Sequence, residues 1–210
     1  MGLLNSILGR TKPVQSNLDA LFALPSASIT LQSAAGMSCS GNGGVCFKPP
    51  TGQGFEEMQA EVIKLLSMDG SSGLRKAEDS YGYQWLVVED ADIGELVTRI
   101  HLVNSSLSDA GWGPQLLCSV FGLAELPAGD DDGSGGVVDT ELEAGPGTVM
   151  PSTAYLVYLF KRGTFYPFVP DGHEHRNTEQ ELRLKSLIAE DLTVEPDLDR
   201  WFPLWDLPVS

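Results

Sequence analysis

Apolar positions along the chain alternate between two periods, and the switches between them mark the elements. Asn17-Leu-Asp-Ala-Leu-Phe-Ala-Leu reads as a short helix stopped at Pro25, because proline lacks the N–H that an interior turn needs. Over residues 27–32 the period shortens to two, with Ile29 and Leu31 on one side, which predicts a strand. Val45-Cys46-Phe47 predicts a second short strand ended by Pro49. Phe55, Met58, Val62 and Leu65 then recur at three- and four-residue spacing, with Leu66 alongside, and predict a helix ended at Gly70. Tyr81-Gly82 separates two extended runs, the second covering residues 83–88. Ile93, Leu96, Val97, Ile100, Val103 and Leu107 keep a single helical stripe, capped at Gly111.

Residues 115–123 and 154–160 are nearly continuous apolar runs rich in aromatic and β-branched side chains, as suits central strands covered on both faces. Arg162-Gly163-Thr164 turns the chain into residues 164–169, a hairpin closed by Pro167 and Pro170. A helix over 178–190 follows, with Thr178 as N-cap and Glu179 and Glu181 in its electropositive first turn. The ending EPDLDRWFPLWDLPVS is too proline-broken for a helix or a central strand. Its Trp201, Phe202 and Trp205 predict a tail, residues 195–210, that wraps back as an aromatic latch. Helices alternate with pairs of strands joined by short turns, which predicts an α+β domain over residues 13–210 with a mainly antiparallel sheet. A doubly wound nucleotide fold would need a helix after each strand.

Charge alters this picture in one region. Thirteen Lys and Arg face 29 Asp and Glu, a formal net charge of −16, which opposes nucleic-acid binding because that depends on neutralising phosphates. Residues 1–50 run the other way, with Arg10, Lys12 and Lys48 against the single acid Asp19. Downstream, Asp130, Asp131, Asp132, Asp139, Glu141 and Glu143 stand without a basic residue among Gly, Ser and Pro, which predicts a flexible acidic insertion over 127–150. DDDGSGG invites a cation-site reading, yet the alternating acids and following Glu of a calcium loop are absent. No apolar stretch approaches the roughly 20 residues that span a bilayer. The start MGLLNSILGRTKP lacks a long h-region and a small-x-small cleavage site, so no secretory signal and a cytoplasmic location are expected.

Candidate chemistry is sparse. Ser40-Gly41-Asn42-Gly43-Gly44 has no Lys-Ser/Thr pair opening a helix, so a glycine turn rather than a phosphate cradle is expected. His173-Glu174-His175 offers two or three ligands at most. Cys39, Cys46 and Cys118 have no CxxC spacing, so neither a metal nor another cofactor is expected. There is no G-x-S-x-G or H-E-x-x-H. A Cys118–His101 pair is conceivable, but Cys118 lies in an apolar run where a buried structural thiol is the default. No catalytic residue is therefore assigned. Leu3, Leu4, Ile7 and Leu8 share one helical face ahead of Arg10 and Lys12, which suits residues 1–12 either to the interface of an anionic membrane or to the protein's own core. Met1-Gly2-Leu3-Leu4-Asn5-Ser6 also matches the loose N-myristoylation pattern, which has meaning only in a eukaryotic host.

MGLLNSILGR, NLDALFALPSA, YGYQWLVVED, VNSSLSDAGWGPQLLCSVFG, YLVYLFKRGTFYPFVP and DLTVEPDLDRWFPLWDLP, taken in order, resemble the PspA-associated PspAB family. The resemblance covers most of the chain apart from residues 127–150. It implies a bacterial protein of the phage-shock envelope-stress system, associated with PspA and linked with HtpX-type membrane zinc proteases, and it supplies no catalytic residue. The element order is also loosely similar to secretion-chaperone or YbjN-like folds. Two functions follow. One is a non-enzymatic adaptor at the inner face of the membrane, with Lys161, Arg162, Phe165, Tyr166, Trp201, Phe202 and Trp205 as partner-surface candidates. Core and strand-end packing is the alternative for each of these residues. The other is a small-molecule-binding protein or enzyme with a pocket beside Trp85, Trp112 and Cys118. A homodimer through strand edges is compatible with either.

Overall fold

A computed structural model describes residues 16–48, 57, 60, 63–64, 74–126 and 153–209. Strands β1 (Met37–Phe47), β2 (Leu74–Glu78), β3 (Gln84–Glu89), β4 (Leu116–Glu125), β5 (Thr153–Leu159) and β6 (Thr164–Phe168) form one sheet in the order β2-β3-β1-β4-β5-β6. Every neighbouring pair is antiparallel. Helices α1 (Leu24–Ala35), α2 (Ile93–Leu107) and α3 (Thr178–Ile188) pack on one side of it. The α+β class with an antiparallel sheet is what the structure has.

Both faces of the sheet are covered, which explains the unbroken apolar runs. In β5, Leu156 and Tyr158 join the core under the helices, whereas Tyr155, Val157 and Leu159 join a second core on the far side. β3 divides likewise, Leu86 and Val88 against Trp85 and Val87. The second core is closed by the tail, through Trp201, Leu204, Trp205, Leu207 and Val209. The expected latch is thus a third layer, laid across the sheet from the β6 edge, where Val194 bridges Phe165, to β2, where Arg75 donates to the Pro208 carbonyl.

The N-terminal expectations need correction. Residues 27–32 are not a strand but part of α1, because the stripe that is buried is Leu24, Ala27 and Leu31 at three- and four-residue spacing, while Ile29 is 68% exposed. Pro25 occupies the first turn, where its missing N–H costs nothing, so it opens this helix instead of ending the preceding one. Residues Leu18–Ala23 form a 3₁₀ turn that runs directly into α1. Ser40–Gly44 is not a turn either: the stretch bulges within β1, since Cys39 pairs with Leu123 and Gly43 with Phe121. Two glycines make the bulge workable. Gly41 has φ +81°, and a Cβ at Gly43 would lie 2.5 Å from Ile100 of α2.

Other differences are smaller. Asn177, not Thr178, caps α3 by accepting from the Gln180 N–H. Past Leu107 the chain continues through a wide helical turn, Ser108–Trp112, and Gly111 reverses there with φ +90°. The predicted 1–12 segment and the 127–150 insertion lie outside the described residues, as does most of the helix expected from Phe55. Of that helix, Glu57, Ala60, Ile63 and Lys64 are helical, and Ile63 packs against the main core. Among the described residues no helix is long and apolar enough to cross a membrane.

Candidate functional site: an aromatic pocket under the tail

Strand register sets one row of side chains on the tail side of the sheet. Ala77, Trp85, Cys46, Cys118 and Leu159 stand opposite one another across β2, β3, β1, β4 and β5 in turn, and all belong to the second core. The tail does not seal this end of the sheet. It leaves a cavity of about 860 Å³, with Trp85, Cys46, Cys118, Leu117 and Leu159 among its walls. Phe202, Pro203, Leu204 and Trp205 supply a wall from the tail, and Tyr81 and Tyr83 one from the β2–β3 turn.

Hydrogen bonds hold these walls in place. The Asp79 carboxylate accepts from the backbone N–H groups of Tyr81 (3.0 Å) and Tyr83 (2.9 Å) and from Trp85 Nε1 (2.9 Å), so one acid fixes both the turn and the indole. Tyr166 stacks on Trp201 at 5.8 Å and donates its hydroxyl to the Phe202 carbonyl (2.8 Å). Burial and the neighbouring Cys118 push the Tyr166 hydroxyl well up, so it stays a donor. Arg176 donates to the Trp201 carbonyl and pairs with Glu181 at 2.8 Å. Farther along, Ser80 donates to Asp206 at 2.6 Å.

The tail begins at Glu195, whose side chain has no exposed surface. Its carboxylate accepts from Arg162, from the Thr164 hydroxyl at 2.7 Å and from the Asp197 N–H at 3.2 Å. Burial alone would push this carboxyl up, but the bonds from Arg162, Thr164 and the Asp197 N–H outweigh it and hold the group below the usual range. Three cations, Lys161, Arg162 and Arg200, stand at the cavity. Arg162 is committed to Glu195 and Arg200 to Asp197 at 3.0 Å, whereas Lys161 is exposed and makes no ion pair with the described residues.

The sequence-predicted residues separate on this geometry. Lys161, Arg162 and Phe202 are exposed at the pocket, Trp205 is half-buried in its wall, and Tyr166 lines it. Phe165 lies in the core beneath the helices and Trp201 in the second core, so neither presents a surface. Trp85 and Cys118 share the pocket as expected, but Trp112 does not: it packs against the helix-side core. The sheet also separates Cys118 from His101, which lies on α2 beside Phe22 and Asp19. His173 and His175 are exposed in the loop before α3. In the sequence Cys46 reads only as a strand residue and a candidate metal ligand, and no role for Asp79 or Glu195 is legible there. Their roles arise from pairing between distant segments; only the Asp-x-x-x-Tyr-x-Trp spacing after β2 hinted at a side chain reaching the indole.

Compared with protein families, the sequence fits the model for PspA associated protein B (PspAB) over residues 1–209. The chain belongs to the PspAB family. The match runs through the tail, so the pocket of this PspAB-family chain is built wholly from residues within the matched range. Neither the curated proteins nor the solved structures give a match. The likeness to secretion-chaperone and YbjN-like folds therefore rests on element order alone.

Proposed function

We propose that this chain is a non-enzymatic adaptor of the phage-shock envelope-stress response, working in the cytoplasm at the inner face of the membrane and binding PspA at the mouth of the pocket under its tail. Membership of a family named for association with PspA supports the partner. The surface rests on one observation: Phe202, 55% exposed, stands with Lys161 and Arg162 at an apolar opening. Aromatic and arginine side chains around a dehydrated pocket are the usual anchors of an interface. An HtpX-type membrane protease is a second proposed partner, on the strength of the family resemblance. Titrating PspA into the full-length protein by calorimetry tests the main reading. Phe202→Ala should weaken binding about tenfold, the loss of roughly 1.4 kcal/mol expected of a modest anchor. Unchanged affinity in a correctly folded variant would remove this surface from the account.

Residues 1–12 provide the membrane contact in this proposal, through Leu3, Leu4, Ile7 and Leu8 with Arg10 and Lys12 facing anionic headgroups. Flotation with vesicles rich in phosphatidylglycerol should carry the full chain upward and leave the chain lacking residues 1–12 at the bottom. Equal flotation of both would show that these residues are not the contact.

The cavity supports a second reading. Its volume of about 860 Å³ lies within the roughly 300–1,000 Å³ typical of ligand pockets. Its aromatic walls and Lys161, which makes no ion pair with the described residues, suit a small molecule with an apolar body and an anionic end. Saturable quenching of Trp85 fluorescence by such amphiphiles, abolished by Lys161→Glu, is the expected sign.

A further inference from the structure

Two of the three cysteines meet in the pocket wall. Cys46 of β1 and Cys118 of β4 are register partners on adjacent antiparallel strands, and both thiols are free. They share one side of the sheet, since both belong to the tail-side core and both line the cavity. Directly opposed antiparallel residues have Cα atoms about 4.5–5.5 Å apart. A disulfide needs roughly 4.4–6.8 Å, so the backbone already satisfies its main geometric demand. Cys39, although only seven residues before Cys46, packs against the helix-side core and has Leu123 as its strand partner.

We infer that Cys46 and Cys118 form a dithiol site that a low-molecular-weight disulfide entering the pocket converts reversibly into an intramolecular disulfide. Cys118, in its thiolate form, attacks one sulfur of the incoming disulfide and expels the other as a thiolate, which takes up a proton; a mixed disulfide remains on Cys118. Cys46 then loses its proton to solvent and attacks the Cys118 sulfur, expelling the second small thiol. The protein dithiol gives up two electrons and two protons, and one disulfide becomes two thiols. The neighbouring Cys118 thiol, followed by burial, pushes the Cys46 thiol up, so Cys46 is the protonated partner of the reduced pair. Trp85 is the β3 partner of Cys46, so the oxidised state changes a pocket wall directly.

The experiment uses glutathione disulfide and the full-length chain. Tryptic cleavage leaves Cys39 and Cys46 on one peptide, because no Lys or Arg lies between residues 12 and 48, so Cys39→Ser is the informative background. After incubation, denaturation and alkylation, this variant should lose both of its remaining thiols and yield a Cys46–Cys118 cross-linked peptide that dithiothreitol releases. In the otherwise native chain, two of the three thiols should disappear and Cys39 should be the one alkylated. Cys46→Ser should instead trap glutathione on Cys118. Retention of both thiols in a folded Cys39→Ser protein, or a cross-link in the native chain that includes Cys39, would overturn the assignment.

Discussion

Glu195 opens the proline-broken stretch expected to wrap back as a latch, and its side chain has no exposed surface and is wholly occupied by Arg162, Thr164 and the Asp197 N–H. Breaking a fully buried ion pair costs roughly 3–5 kcal/mol. Arg162 is 39% exposed, however, and water screens its charge, so Glu195→Gln should cost about 2 kcal/mol in urea unfolding. The same carboxyl sets a pH dependence. Its folded-state pKa is depressed, so its stabilisation is complete above the ordinary Glu value near 4.3 and is lost as pH falls through the lower, folded value. Asp191 acts in the same direction: hydrogen bonds from Ser26 (2.6 Å) and then Thr30 (2.7 Å) lower its pKa while joining α1 to the end of α3. The melting-temperature gap between the native chain and Glu195→Gln should therefore be widest near pH 6 and narrow below pH 4. A constant gap would show that the carboxylate charge is not what holds the tail.

Among the elements, those with a long single-period pattern were legible. Leu96, Val97, Ile100, Val103 and Leu107 face the core of α2 as their spacing requires, and the runs in β4 and β5 are two-sided because helices cover one side and the tail the other. The failures have local causes. Ile29 and Leu31 imitate a strand because an exposed isoleucine happens to fall two residues before a buried leucine. The β1 bulge was hidden because glycine serves a turn and a close helix contact equally well. Gly43→Ala tests the second role. The added methyl would meet Ile100 at 2.5 Å and the Val120 carbonyl at 3.0 Å, so about 1–3 kcal/mol should be lost and the urea midpoint should fall. An unchanged midpoint would mean that α2 yields freely at this contact.

At the scale of the whole molecule, the fold class was readable from element order, whereas of the pocket only the walls at Trp85 and Cys118 were. Trp85 and Cys118 stand out as residue types, but Cys46, Asp79 and the tail reach them only through strand register and a crossing of the entire sheet. Trp112 looked equivalent in sequence and lies on the other side. The resulting division of labour places α1, α2 and α3 over one core and leaves the tail side with an opening, an exposed aromatic and a lysine that makes no ion pair with the described residues. The central claim is that partners are engaged there. Hydrogen–deuterium exchange of the full chain, alone and saturated with PspA, tests it most directly. The account predicts slower exchange at Lys161, Arg162 and residues 200–206 on complex formation, with α1 and α2 unchanged. Protection confined to the helices, with the tail exchanging as in the free protein, would contradict it.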